Sequence, residues 1–525
     1  IVEPRLSKQW FLKMDKFAKQ GIDAVANKKV NFYPNRWEKN YNYWLENIKD
    51  WCISRQLLWG HQIPVWYKDN EIYCGVNPPS GNGWIQDNDV LDTWFSSWVW
   101  PLATLGWPKT TKDLTQFYPT QDLVTGPDII FFWVARMIMS GLHFTDKVPF
   151  SNVYFTSIIR DEDGKKMSKS LGNSPDPLDL FDQFGVDAVR VSILMIAPQG
   201  TDVLFSIDRI DQGRNFMNKL WNSSRFLMMN IENTNDIIPF ENLDNALFEL
   251  VDLWILSRLN HTIKEVDGYL EAYKLDEAIK AMYNFIWKDY CDWYIEFSKS
   301  RIYGQDNNKR TLVISLSVYV LKNILQLLHP YAPFITEEIW SYYKNENDGI
   351  LVFSNWPTVE KKYLSNEIEN DFSFIMQIIT SIRNIRSELN ISPKKESDLI
   401  CRGKKKKTDI ILENIQYFKS LAKISNIKCG IDIRKPQQSS TAVINDVEIF
   451  LPLTNLINID IEIERLQSKI NDIQARMKSV KHKLDNKNFI KNAPKKVINH
   501  EKNKFDNYSK DYKKLMNNLS NIKAE

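Results

Sequence analysis

Three neighbouring stretches constrain the fold more than any other feature of the chain. "DLVTG" (122–126) reads as a strand, "PDIIFFWVARMIMSGL" (127–142) as a helix with Pro127 at its first position, and "NVYFTSI" (152–158) as a second strand. Proline fits a first helical turn, where its missing N–H has no intrahelical partner to lose. A strand, helix and strand at these spacings make a parallel β–α–β unit. Such sheets bind ligands beyond the carboxyl ends of their strands. A further helix is expected from about Pro177.

After the second strand comes a charged turn, "RDEDG", and then "GKKMSKSLGN" at 164–173. Lys166 and Lys169 flank Met167 and Ser168. Two ammonium groups on long stems can reach one oligophosphate, because lysine carries a compact point charge. Gly164 and Gly172 let the loop close without steric cost. Chemistry at the α-phosphate of ATP expels pyrophosphate, and positive groups aimed at that departing charge lower the barrier.

The chain is long enough, at 525 residues, for several domains with full cores. Its cysteines, at 52, 74, 291, 401 and 429, form no C-x-x-C and no zinc spacing with histidine. Reduced, mostly buried thiols in a cytoplasmic protein are expected. No signal peptide is evident, and the longest apolar runs read as too short to span a bilayer. A monomer without membrane contact is the expectation. The sequence opens at Ile1 and reads as the C-terminal part of a longer protein.

The texture changes along the chain. Residues 1–235 mix strands and helices. Residues 236–395 read as helix after helix, with apolar residues at steps of three and four in "DLWILSRLNHTIKEVDGYL", "KLDEAIKAMYNFIWKDYCDWYIEFSKSR" and "TLVISLSVYVLKNILQLLH". "HPYAPF" breaks the series, and Thr336 is the expected N-cap of the helix that follows. Residues 396–455 are mixed and short-stranded, with a "GKKKK" tip at 403–407. From 456 two heptad series appear. Ile459, Ile463, Leu466, Ile470, Ile473, Met477, Val480 and Leu484 form one, and Phe505, Tyr508, Tyr512, Leu515, Leu519 and Ile522 the other. Pro494 interrupts the connector, so an antiparallel coiled-coil hairpin is expected. Residues 456–525 hold 16 Lys/Arg against 9 Asp/Glu, while the whole chain is only +3. A basic rod on a near-neutral protein suits a polyanion.

"KMSKS" after a β–α–β unit resembles the signature loop of the class I aminoacyl-tRNA synthetases. "WCISRQLLWGHQIPVWY" (51–67), "DVLDTWFSSW" (89–98), "RNFMNKLWNSSRFLMMN" (214–230) and "HPYAPFITEEIW" (329–340) resemble the valine-specific branch. "VEPRLSKQWF" (2–11) resembles the exit from its editing insertion, and the hairpin its C-terminal arm. The resemblance covers essentially the whole chain. It implies a multidomain α/β plus all-α protein. Residues 1–30 would be the exit segment of the editing insertion, and 31–235 the second half of a Rossmann-type core. Residues 236–395 would be a helical anticodon-binding domain, 396–455 a small junction, and 456–525 a basic arm against tRNA.

By the same resemblance Lys169 is the lysine most directly tied to ATP. Gly126 lets the backbone approach adenosine, and Asp128 accepts from the ribose hydroxyls. Asp128 also suits a helix N-terminus on charge alone. Pro127 departs from the family pattern and removes one donor near the nucleotide. Trp94, Ile129 and Trp133 would wall the amino-acid side-chain pocket. Residues 129 and 133 are four apart, and so share a helical face. ATP with Mg2+, valine and tRNA(Val) are the implied reactants, and no protein metal site is expected. The family's "HIGH" string is absent, none of the six histidines lying in such a string. The chain alone is therefore expected neither to activate valine nor to edit. An isoleucine-type enzyme and a non-catalytic tRNA-docking module are the competing readings. "DTWFSSW" and the heptad ending favour the valine type.

Overall fold

The structure, a computed structural model, describes residues 6–231, 237–345, 348–454, 456–486, 489, 491 and 493–523. The chain divides into two compact units. The first comprises 1–218, 265–282 and 328–335, and the second 219–264, 283–327 and 336–525.

The first unit is built on three parallel strands, β1 (Asn31–Tyr33), β2 (Thr120–Thr125) and β3 (Phe150–Phe155), in the order β1-β3-β2. Val153 stands opposite Phe32 on one side and Leu123 on the other. The central strand is the most apolar, with Phe150, Val153 and Phe155 each at most 1% exposed, as a strand covered on both faces requires. Helices Asp15–Ala26 and Ala135–Thr145 pack together over this sheet, burying Val25, Val134, Met137 and Ile138 in the same core. The packing is close at Gly21, where a Cβ would stand 3.1 Å from the Tyr41 hydroxyl and 3.2 Å from Leu45.

The segment after β2 is less regular than its sequence suggests. Pro127–Ile129 forms a 3-10 turn, Ile130–Val134 a π-helical turn, and the α-helix begins only at Ala135. Widened turns of this kind are frequent at functional sites. The α-helical spacing that would place Ile129 and Trp133 on one face therefore does not apply to them. The helix expected near Pro177 runs Pro177–Phe184, with the Asp176 carboxylate accepting from Leu178 N at 2.9 Å.

"HPYAPF" ends one helix at Leu328 and the next begins at Pro333, three residues before Thr336. Thr336 is fully buried within that helix and does not cap it. The acceptor comes from elsewhere in the sequence: Asp187 takes the N–H groups of Ile335 (2.6 Å) and Phe334 (3.4 Å). Burial of Asp187 raises its pKa above the ordinary carboxylate range, and these two donors only partly offset the rise.

In the second unit, helix Asn307–Leu328 is long and apolar enough by composition to cross a membrane, contrary to the reading of short apolar runs. Most of its surface, 78% of the apolar window, is buried within the protein instead. "FIWKDYCDWY" (Phe285–Tyr294) is π-helical between two α-helical turns. Tyr290 and Tyr294 are fully buried and cannot meet nucleic acid, while Trp287 is half-buried and stacks on Tyr283. Asp252, fully buried, holds Arg301 through two bonds of 2.5 and 2.7 Å.

Residues 397–452 form a four-stranded sheet. Ser397–Arg402 pairs in parallel with Ile424–Gly430 and antiparallel with Val447–Pro452, which pairs in turn with Ser439–Ile444. Asn445 and Asp446, both at positive φ, make the two-residue turn of that last hairpin. The "GKKKK" stretch leads into helix Lys405–Glu413 rather than standing as a free tip, and Lys407 lies 3.4 Å from Asp371.

Helices Ile459–Asp485 and Lys495–Lys523 pack against each other. Gln474 bonds Tyr512 (2.9 Å) and Lys483 faces Glu501 (3.8 Å), so one chain number rises as the other falls: the pair is antiparallel. Among the described residues, Leu466, Ile470, Val480 and Leu519 are its buried apolar positions. The side chains of Ile459 and Ile522 lie outside the described residues.

Candidate functional site

The site grows from the carboxyl end of β2. The chain leaves the strand at Thr125 and turns at Gly126. A Cβ on Gly126 would stand 2.6 Å from Asp128 Oδ1, so glycine leaves room for that carboxylate to fold back over the turn. Asp128 is half-exposed and faces outward.

β3 ends at Phe155, and a short strand, Ile159–Arg160, pairs in parallel with Val203–Leu204. The lysine loop then closes on itself. Gly164 (φ +80°) and Gly172 (φ +65°) both take left-handed backbone. Asp161 and Asn173 hold the loop's two arms. Asn173 Nδ2 donates to Asp161 Oδ2 (2.7 Å), and Ser168 N donates to Asn173 Oδ1 (2.9 Å). Lys165 N donates to Asp161 Oδ1 (2.7 Å). The Asn173 amide leads in drawing the Asp161 pKa below its usual range, with the Lys165 backbone N–H adding to it. Ser168 Oγ accepts from Leu171 N (3.3 Å) and shares a hydrogen bond with Ser170 Oγ. It is thus occupied with the loop's own geometry.

This closure carries Lys166 across to the turn after β2, where Nζ lies 3.0 Å from Asp128 Oδ2. Of the candidate nucleotide residues, the structure brings Gly126, Asp128 and Lys166 together. Met167 is half-buried beside them in sequence. The backbone of Lys169 opens a short 3-10 turn, and its side chain lies outside the described residues. The side chains of Lys166 and Asp128 are 59% and 49% exposed, so their ion pair is worth about 0–1 kcal/mol. A phosphate can replace the carboxylate at Lys166 at small cost.

The three candidate pocket residues are not gathered in the same way. Trp94 stacks on Phe132 (centroids 5.7 Å apart), whereas Trp133 Nε1 donates to Ser97 O at 3.1 Å. Ile129 is half-buried between them in sequence. Phe132, Asp161 and Asn173 were not singled out from the sequence. Asn173 closes the 164–173 loop, and an asparagine directly after a glycine was its only signal in the sequence. Among the described residues, no cluster of three or more His, Cys, Asp or Glu side chains is placed to hold a metal ion.

Three family models tile the chain. The model for tRNA synthetases class I (I, L, M and V) matches 2–78 and 79–206, and the anticodon-binding domain of tRNA ligase matches 252–401. The valyl tRNA synthetase tRNA binding arm matches 458–523. The valine–tRNA ligase of Fusobacterium nucleatum is 42% identical over 540 residues, covering 99% of this chain and 60% of that protein. That of Bacillus subtilis is 44% identical over 515 residues, covering 97% and 58%.

Over nearly its whole length the chain is similar to valine–tRNA ligases, and its residues 2–206 match the class I synthetase model.

It spans about 60% of the length of these curated relatives. Among solved structures, the methionyl-tRNA synthetase of Mycobacterium tuberculosis in complex with methionyl-adenylate matches at a TM-score of 0.53 and 20% identity. The match covers 63% of this chain and 62% of that one, a likeness of fold alone. The class I synthetase match ends at Ser206, so it contains both the turn at Gly126 and the lysine loop.

Proposed function

We propose that the chain serves the ATP-dependent joining of valine to tRNA(Val), supplying the lysine-loop side of the nucleotide site. The observation that carries this reading is the Lys166–Asp128 pair, set at the carboxyl end of a parallel strand. That is where open α/β sheets take nucleotides. When ATP enters, Lys166 exchanges the Asp128 carboxylate for phosphate oxygens, and Asp128 becomes free to accept from ribose hydroxyls. A valine carboxylate oxygen attacks the α-phosphorus. The bond to the bridging β-phosphate oxygen breaks, and pyrophosphate leaves with its charge met by Lys166 and Lys169. A ribose hydroxyl at the tRNA 3′ end then attacks the acyl carbon and expels AMP. Mg2+ would come with the ATP phosphates, neutralising part of their charge.

Trp94, Ile129 and Trp133 are proposed to wall the side-chain pocket, with Met167 and Ser168 keeping the loop's shape. A pocket of this kind rejects larger side chains but not threonine, for which valine-specific enzymes are the reference case. Residues 236–395 are assigned to the anticodon and 456–525 to the tRNA backbone. The basic surface of the arm contacts phosphates rather than base edges. A second reading, tRNA docking without catalysis, is favoured for the chain alone by the absence of a "HIGH" string.

The test grafts residues 1–525 in place of the matching part of a valine–tRNA ligase. Aminoacylation should survive the graft and fall at least about 100-fold when Lys166 and Lys169 both become alanine. Normal charging by the double variant refutes the assignment. Tight tRNA(Val) binding by the chain with no charging in the graft favours the docking module.

A further inference from the structure

Strands Ser397–Arg402 and Ile424–Gly430 run parallel, and their register sets Cys401 directly beside Cys429. Residues paired in this way on neighbouring strands point to the same face. The strands of a sheet lie about 4.8 Å apart, inside the span of about 4.4–6.8 Å that a disulfide bridges between Cα atoms. Among the described residues, no other cysteine has such a neighbour. Cys52 stands opposite Phe11 and Cys74 opposite Val65, while Cys291 is buried in the π-helical segment Phe285–Tyr294.

The two thiols differ in what can reach them. Cys401 is fully buried on an inner strand, with Ile449 as its partner on the other side. Cys429 is half-buried on the outermost strand of the sheet. The hydrogen bond with Cys401 holds the Cys429 thiol below its ordinary pKa, against the effect of its partial burial. The same hydrogen bond, with burial, raises the pKa of Cys401. The outer sulfur is therefore the better nucleophile, and the inner one keeps its proton behind it. A reachable thiolate poised next to a second cysteine is the arrangement of redox-sensing sites.

We propose that Cys401 and Cys429 are a peroxide-responsive pair, in which a peroxide oxidises Cys429 and Cys401 resolves the product into a reversible intrachain disulfide. The Cys429 thiolate attacks one oxygen of hydrogen peroxide. The O–O bond breaks, leaving a sulfenic acid on Cys429 and hydroxide, which takes up the proton that Cys429 had lost. The Cys401 sulfur then attacks the Cys429 sulfur, and the S–OH bond breaks. The Cys401 proton leaves with that hydroxide as a second water. Two thiols are oxidised and one peroxide is reduced. The new bond closes the crossover between the strands, which carries helices Lys405–Glu413 and Ile415–Ala422. Closing such a loop restricts the unfolded chain and so stabilises the sheet.

The test treats the reduced full chain with hydrogen peroxide, blocks the remaining thiols with N-ethylmaleimide, and maps peptides by mass spectrometry without reductant. A peptide holding Cys401 joined to one holding Cys429 is expected, lighter by two hydrogens than the separate pair, and dithiothreitol should return both thiols. Cys401→Ser should leave the sulfenic acid standing at Cys429 and raise its capture by dimedone at least about tenfold. Should that variant fail to fold, the map of the unaltered chain still decides. The proposal is overturned if Cys429 stays a thiol, or passes to sulfinic acid, with no joined peptide. It is overturned equally if the joined peptide forms only in urea or links two chains.

Discussion

Replacing Arg301 with methionine is the sharpest probe of what holds the second unit together. Asp252 is fully buried and Arg301 8% exposed. Burial works against the charge on Arg301, and Asp252 more than offsets it, so the guanidinium stays above its usual pKa. Methionine keeps most of the volume but removes two charge-assisted bonds. Asp252 would retain only Glu249 N (2.9 Å) and the Tyr294 hydroxyl (3.2 Å). Removing one partner of a buried pair costs about 3–5 kcal/mol. The two surviving donors place this case near the lower end, about 3 kcal/mol. At about 2 °C per kcal/mol, the low end that suits a unit larger than about 250 residues, the second-unit transition should fall by roughly 6 °C in calorimetry.

The loss should also depend on pH. In the variant, a buried carboxylate without its cation has a raised pKa. Its favourable contribution is full below the unfolded value and lost as pH rises through the folded one. The deficit against the unaltered chain should therefore shrink as pH falls from about 7 towards 4. Arg301→Met combined with Asp252→Asn should recover part of the loss at neutral pH. A deficit below about 1 kcal/mol, or one that does not change with pH, would refute the reasoning.

Asp128→Asn should change stability by no more than about 1 kcal/mol in urea titration, because the pair with Lys166 is exposed; a larger loss would contradict a lysine free to leave for phosphate. Asp187, raised chiefly by burial, contributes stability that is full below the ordinary carboxylate range and lost as pH rises through its raised value. Asp187→Asn should flatten that slope in denaturation curves across about pH 4–7. Asp161 has the opposite sign: its contribution is present above the ordinary carboxylate pKa and lost as pH falls through the lowered one. Hydrogen-exchange protection at Lys165 and Ser168 should drop in acid, and in Asn173→Ala already at neutral pH; unchanged protection in that variant would remove Asn173 from the loop's support.

Much of this protein is written in local pattern. The β–α–β unit, the helices between 250 and 343, the lysine loop and the paired heptads could all be read directly, because period and turn chemistry act over a few residues. The parallel sheet and the antiparallel pair followed from those spacings. Other features were decided only by parts of the chain distant in sequence. Asp187 sits at the start of a helix 146 residues later, where local pattern had pointed to Thr336 as the cap. Lys166 found Asp128, thirty-eight residues back, only because two neighbouring parallel strands end side by side. The wide turn at Ile130–Val134 likewise depends on what packs around it. Periodicity tells a residue which way to face; which partner it meets is set by the tertiary fold.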